Sequence, residues 1–104
     1  MNKKYFKLLI NSLENPVLRI ETIGDGSRSS VYKRIVVDFS SITSVKNINY
    51  LFDKTSMHNS FMNKHRFVIQ SFYFGYIGWD NDKRKKVNDR LDKAFKKYER
   101  WKNE

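Results

Sequence analysis

Lys86, Arg90, Lys93, Lys97 and Arg100 follow one another at spacings of four, three, four and three, with no carboxylate among them. On a helix that spacing lines them along one edge. A row of ammonium and guanidinium groups uninterrupted by acids is suited to neutralising a run of phosphates. It also has a purely structural use, because long basic stems can shield a hydrophobic seam while their charged ends stay in water.

Directly upstream, RFVIQSFYFGYIGW carries Phe67, Phe72, Tyr73, Phe74, Tyr76 and Trp79. Exposed aromatic rings stack on unpaired bases, but a chain with few aliphatic residues needs its aromatics for a core. The Phe residues are therefore expected inside. Tyr73, Tyr76 and Trp79, whose polar edges need partners, are expected near the surface, the last two beside Gly75 and Gly78. The stretch lacks the Gly-flanked basic-aromatic pattern of RNA-recognition motifs, and the YIG at Tyr76–Gly78 is not preceded by the Gly-Ile-Tyr element of GIY-YIG nucleases.

GDGSRSSVYKR, residues 24–34, offers turn-forming residues, three serines and Arg28, followed by Lys33 and Arg34. Backbone N–H groups at such a turn can hold a phosphate. It has neither the GK[ST] ending of a P-loop nor a helix directly after it, so a plain hairpin turn explains it equally well.

A catalytic constellation is not visible. His58 and His65 stand seven apart in a polar stretch, a spacing with no metal-site meaning. Asp38 and Asp53 lack the close acidic partner and positioned Lys that a metal-dependent nuclease needs. The expectation is a non-enzymatic protein without metal or cofactor.

Composition agrees with a polyanion partner. The 21 basic and 11 acidic residues give +10 at pH 7 within 104 residues, a potential that favours nucleic acid, an acidic protein face or anionic lipid. The absence of cysteine excludes disulfides and thiolate chemistry and fits a cytoplasmic protein. No stretch approaches the ~20 apolar residues of a membrane span, and MNKKYFKLLINSLENP is not a convincing signal peptide, so no membrane association is expected. The dominance of Lys, Asn, Ile, Phe and Tyr, which have A/T-rich codons, points to an AT-rich genome of the phage or mobile-element kind.

The elements that must position these residues form one domain, 1–104. Phe6, Leu9, Ile10 and Leu13 predict an amphipathic helix over 3–14, stopped by Pro16. VLRIETI (17–23) and SVYKRIVVDF (30–39) read as a hairpin, with Val31, Lys33, Ile35, Val37 and Phe39 on the core face. A short helix is expected over 43–54, and TSMHNSFMNKH reads as a loop. RFVIQSFYF reads as a strand with Phe67, Ile69, Ser71 and Tyr73 on one face and Val68, Gln70, Phe72 and Phe74 on the other, which suggests a central or doubly covered strand. Asp80 caps a long helix over 81–102 whose stripe is Val87, Leu91, Ala94, Phe95, Tyr98 and Trp101. The fold class is α+β in the order α-β-β-α-β-α, with a three-stranded, mainly antiparallel sheet packed by helices.

The expected partner is DNA or RNA, held by its backbone with little sequence specificity. Lys86, Arg90, Lys93, Lys97 and Arg100 would neutralise phosphates, Arg28, Lys33 and Arg34 would extend the track, and Tyr76 and Trp79 would stack on unpaired bases. The absence of a helix-turn-helix unit argues against a base-specific repressor. The alternative is a protein-binding inhibitor or modulator of a host nucleic-acid-handling machine, of the nuclease or CRISPR-effector type, with the ridge docked on an acidic protein or a ribonucleoprotein. A homodimer through exposed Tyr and Trp would join two ridges into one groove.

Overall fold

The N-terminal helix, α1 (Lys3–Asn11), begins where the Asn2 side chain accepts a hydrogen bond from the Tyr5 N–H at 2.9 Å, satisfying a donor that the first turn leaves open. It ends one turn earlier than its apolar spacing predicts. The Ser12 N–H is shared between the Leu8 and Leu9 carbonyls, and the Ser12 hydroxyl also bonds to Leu8 O at 2.7 Å, which closes the last turn. Leu13 is buried as expected, but in a two-residue strand, β1 (Leu13–Glu14). Asn15 then takes a positive φ of 55° and Pro16 turns the chain into the main sheet, a bend that Asn tolerates better than most residues.

The computed structural model describes residues 1–24, 31–43, 56–59, 65–75 and 81–104, with 56–59 described by backbone alone. The expected helix over 43–54 lies almost wholly outside these residues. The two long strands of the hairpin are β2 (Val17–Ile23) and β3 (Val31–Phe39), paired from Val17↔Asp38 to Ile23↔Tyr32. A short β4 (Ser41–Ile42) folds back on β1, and Thr43 N–H bonds to Ser12 O at 2.8 Å, tying the end of β3 to the end of α1.

Part of the stretch that reads as a loop is a strand. Ser56–Asn59 forms β5, antiparallel to β6 (His65–Gly75) from Ser56↔Val68 to Asn59↔His65. The three expected strands are antiparallel neighbours, and β5 extends them to the order β2-β3-β6-β5. Its residues, Ser-Met-His-Asn, are mostly polar and carry little strand signal of their own; pairing with a long neighbour supplies what propensity does not.

The C-terminal helix, α2 (Asn81–Asn103), buries Val87, Leu91 and Tyr98, with Ala94, Phe95 and Trp101 packed at the margin. It lies against α1: the Phe6 ring stands 5.2 Å from Tyr98 and 5.9 Å from Trp101, centroid to centroid. Both helices share one apolar cluster with Ile35, Val37, Phe39, Phe67, Ile69, Phe72 and Phe74. The fold is therefore two layers, a sheet with helices on one face. Burying a ring as completely as Phe6 contributes about 2–3 kcal/mol.

β6 is a central strand, between β3 and β5, and the single core excludes the alternative that it is covered on both faces. Phe67, Ile69, Phe72 and Phe74 all belong to the helix-side core, although Ile69 and Phe72 differ by an odd number. The register explains this: Ile35 pairs with Gln70 while Val36 pairs with Val68, so Ile69 is an extra residue. A β-bulge of this kind switches which alternation faces the core. Ser71 and Tyr73, assigned from the spacing to the face of Phe67, lie on the opposite one, paired with Arg34 and Tyr32.

Candidate nucleic-acid interface

The helix end nearest α1 is held by charge. Lys7 Nζ donates to Trp101 O at 3.1 Å and to Glu104 O at 2.5 Å, placing a cation where the last carbonyls of α2 have no helical partner. Lys3 forms an ion pair with the Glu104 carboxylate, and that hydrogen bond holds the carboxyl below its usual range.

Along α2 the five basic residues do share one edge of the apolar stripe, but they divide by environment. Lys86, Arg90, Lys93 and Arg100 are exposed, whereas Lys97 is half-buried. Its ammonium lies 4.7 Å from the Tyr98 ring centroid and 5.0 Å from that of Trp101, within cation–π range. Lys97 thus seals the helix–helix seam. Among the described residues no ion pair engages Lys86, Arg90, Lys93 or Arg100, and the i,i+4 neighbours Asp89 and Lys93 do not close one. The opposite edge of the helix is occupied differently: Phe95, Glu99 and Lys102 line a groove with Val17 and Leu18.

Lys33 and Arg34 do not extend this row together. Adjacent strand residues point to opposite faces; Lys33 is on the helix side, its ammonium 4.8 Å from the Phe74 ring centroid, and Arg34 is on the other face. Arg28, Tyr76 and Trp79 lie outside the described residues.

The face of the sheet turned away from the helices carries a second group of functional side chains. Register places Val17, Asp38 and Arg66 in one row, Arg19, Val36 and Val68 in the next, then Glu21, Arg34 and Ser71, then Ile23, Tyr32 and Tyr73. Arg19 grips Asp38 through two nitrogens, Nε on one carboxylate oxygen and Nη2 on the other at 3.2 Å, the strong bidentate arrangement, which raises the Arg19 pKa further. Arg66 forms an ion pair with Glu21, two strands away. That pair must cross β3 between Arg34 and Asp38, over Val36, and Val36 is fully buried beneath it. Beyond this lattice, Tyr32 and Tyr73 stand with ring centroids 5.2 Å apart and planes inclined at 54°, and they remain 37% and 39% exposed.

Tyr32 and Arg34 were legible as members of the outer face from simple alternation along β3. Tyr73 was not assigned to it, because the bulge at Ile69 reverses the parity of the second half of β6.

Among the described residues no group of three His, Asp or Glu side chains is placed to hold a metal ion, and no helix is long and apolar enough to cross a membrane. No protein-family model, curated protein or solved structure matches the chain. Function must therefore be argued from its own surfaces.

Proposed function

We propose that this protein binds nucleic acid through backbone phosphates with little sequence specificity, and that binding, without a catalytic step, is its activity. The observation that carries the reading is the exposed row Lys86, Arg90, Lys93 and Arg100, without ion pairs among the described residues, on a 23-residue helix anchored to the core. At 1.5 Å per residue the row extends about 21 Å, matching about six successive phosphates of one strand at 3.4 Å each. A rigid helix presents these charges at fixed spacing, so little side-chain order is lost beyond the long stems themselves. The net charge of +10 supplies long-range attraction.

The test is fluorescence-anisotropy titration of unrelated single- and double-stranded DNA and RNA oligonucleotides at several salt concentrations. Four phosphate contacts predict a slope of log affinity against log salt near −3.6 for duplex, at roughly 0.9 per contact. Lys93→Glu with Arg100→Glu should weaken binding to all sequences alike and flatten that slope, with melting temperature nearly unchanged. Absence of binding at physiological salt would remove the reading and redirect the ridge to an acidic protein surface.

A further inference from the structure

We propose that the outer face of the sheet is a stacking platform for single-stranded nucleic acid, with an unpaired base on Tyr32 and Tyr73 and Arg34 meeting the adjoining phosphate. This rests on the nucleic-acid reading above but uses a different surface and names a narrower ligand.

Three observations converge on it. First, the two tyrosines are large, exposed and side by side at paired positions of neighbouring strands. Their planes are inclined at 54°, and each residue keeps more than a third of its surface exposed. Base–aromatic stacking is tolerant of sequence because every base has a π-face. Second, the charge on this face is unequally matched. Arg19 and Arg66 are committed to Asp38 and Glu21, which leaves Arg34, opposite Glu21 in register, as the cation of that face with no ion pair among the described residues. Its Nε is buried with no hydrogen-bond partner, so the cation is partly desolvated and keeps an unmet donor. Third, Tyr32 and Arg34 are alternate residues of one strand, about 7 Å apart along it, which is within the reach of one nucleotide from base to phosphate. The exposed Ser71, paired with Arg34 in register, adds a hydroxyl donor beside that cation.

Duplex DNA has no unstacked base to offer this face, so the platform discriminates single strands from duplex while the helix ridge serves both. The test compares a fluorescent single-stranded 12-mer with its duplex, titrated against the wild-type protein, Y32A/Y73A, Y32F/Y73F and the ridge variant Lys93→Glu with Arg100→Glu. The expected result is roughly tenfold or greater loss of single-strand affinity in Y32A/Y73A, unchanged duplex affinity and salt slope, and recovery in Y32F/Y73F, which keeps the rings. Wild-type single-strand affinity in a folded Y32A/Y73A would overturn the platform and leave the ridge intact. If the wild type binds neither form at low salt, both readings fall. Should Y32A/Y73A not fold, photo-cross-linking of the wild-type protein to 5-iodouracil-containing single strands decides the matter: adducts on Tyr32 or Tyr73 support the platform, and adducts confined to α2 overturn it. A concentration-dependent dimer that is lost in Y32F/Y73F, without single-strand binding, would assign the face to a second copy of the chain and likewise overturn the proposal.

Discussion

The Tyr98 hydroxyl donates a hydrogen bond to Gln70 Oε1 at 2.9 Å, joining the C-terminal third of α2 to the middle of β6 from inside the core. Burial pushes the Tyr98 phenol above its ordinary value, because ionisation would place an anion among Phe6, Leu91 and their neighbours. The unfolded chain ionises this group near pH 10, whereas the folded chain resists. The stability so contributed is fully present below that pH and is lost as pH rises through it towards the folded value. Tyr98→Phe should cost about 1 kcal/mol at neutral pH and flatten the decline in stability between roughly pH 9 and 11. Urea unfolding across that range reads both effects, and parallel alkaline limbs for wild type and variant would place the linkage elsewhere.

On the outer face, removing one partner of the Arg66–Glu21 pair should matter more than removing both. The two side chains are largely buried and one Glu21 oxygen already lacks a partner. Arg66→Ala strands the carboxylate and uncovers Val36, so a loss of about 2–3 kcal/mol is expected. Glu21→Leu combined with Arg66→Met keeps cover over Val36 without charge and should lose less than the single variant. Chemical denaturation of the single and double variants gives the comparison directly, and equal losses would mean that packing over Val36, not the stranded charge, sets the cost.

Lys97 and Lys93 occupy the same edge of α2 with opposite expected phenotypes. Lys97→Gln removes a cation from between Tyr98 and Trp101 and should lower stability by about 0.5–1 kcal/mol. Lys93→Gln, on an exposed position, should leave stability within about 0.5 kcal/mol and reduce the salt slope of nucleic-acid binding by one contact, about 0.9. Thermal melts together with salt-dependent titrations separate the two, and the ridge assignment would lose its support if Lys93→Gln left the slope unchanged.

How far the sequence carried the fold depended on whether each signal was local. The spacing of Val87, Leu91 and Tyr98 fixes a helix whatever surrounds it, and the alternation from Val31 to Phe39 fixes the inward face of β3; both agree with the structure. The end of α1 was missed because Leu13 keeps the helical spacing while Ser12 closes the last turn with its own hydroxyl, a choice propensity does not reveal. β5 was missed because its strand state comes from pairing with β6 rather than from its residues. The candidate site divided in the same way. The row along α2 was legible as a helical edge, but the withdrawal of Lys97 into the seam depends on Trp101 meeting Phe6 across helices. The pairing of Tyr32 with Tyr73 needed long-range register, which no periodicity contains.

The bulge at Ile69 is what brings both halves of the aromatic belt into one core, and it can be tested by deletion. With Ile69 present, Phe67 and Phe72 stand an odd number of residues apart, and the bulge lets both reach the helix-side cluster together with Phe74. Without it, Phe67, Phe72 and Phe74 stand an even number apart, so regular alternation keeps all three inward and Tyr73 outward. Deletion of Ile69 should therefore leave a folded domain that has lost one buried aliphatic side chain, at a cost of about 2–5 kcal/mol. Ile69→Val, which keeps the extra residue, should cost only about 0.5–1.5 kcal/mol. Thermal melts of the two variants make the comparison: if deletion abolishes folding, the bulge serves more than the parity of the belt, and regular pairing of β3 with β6 does not replace it.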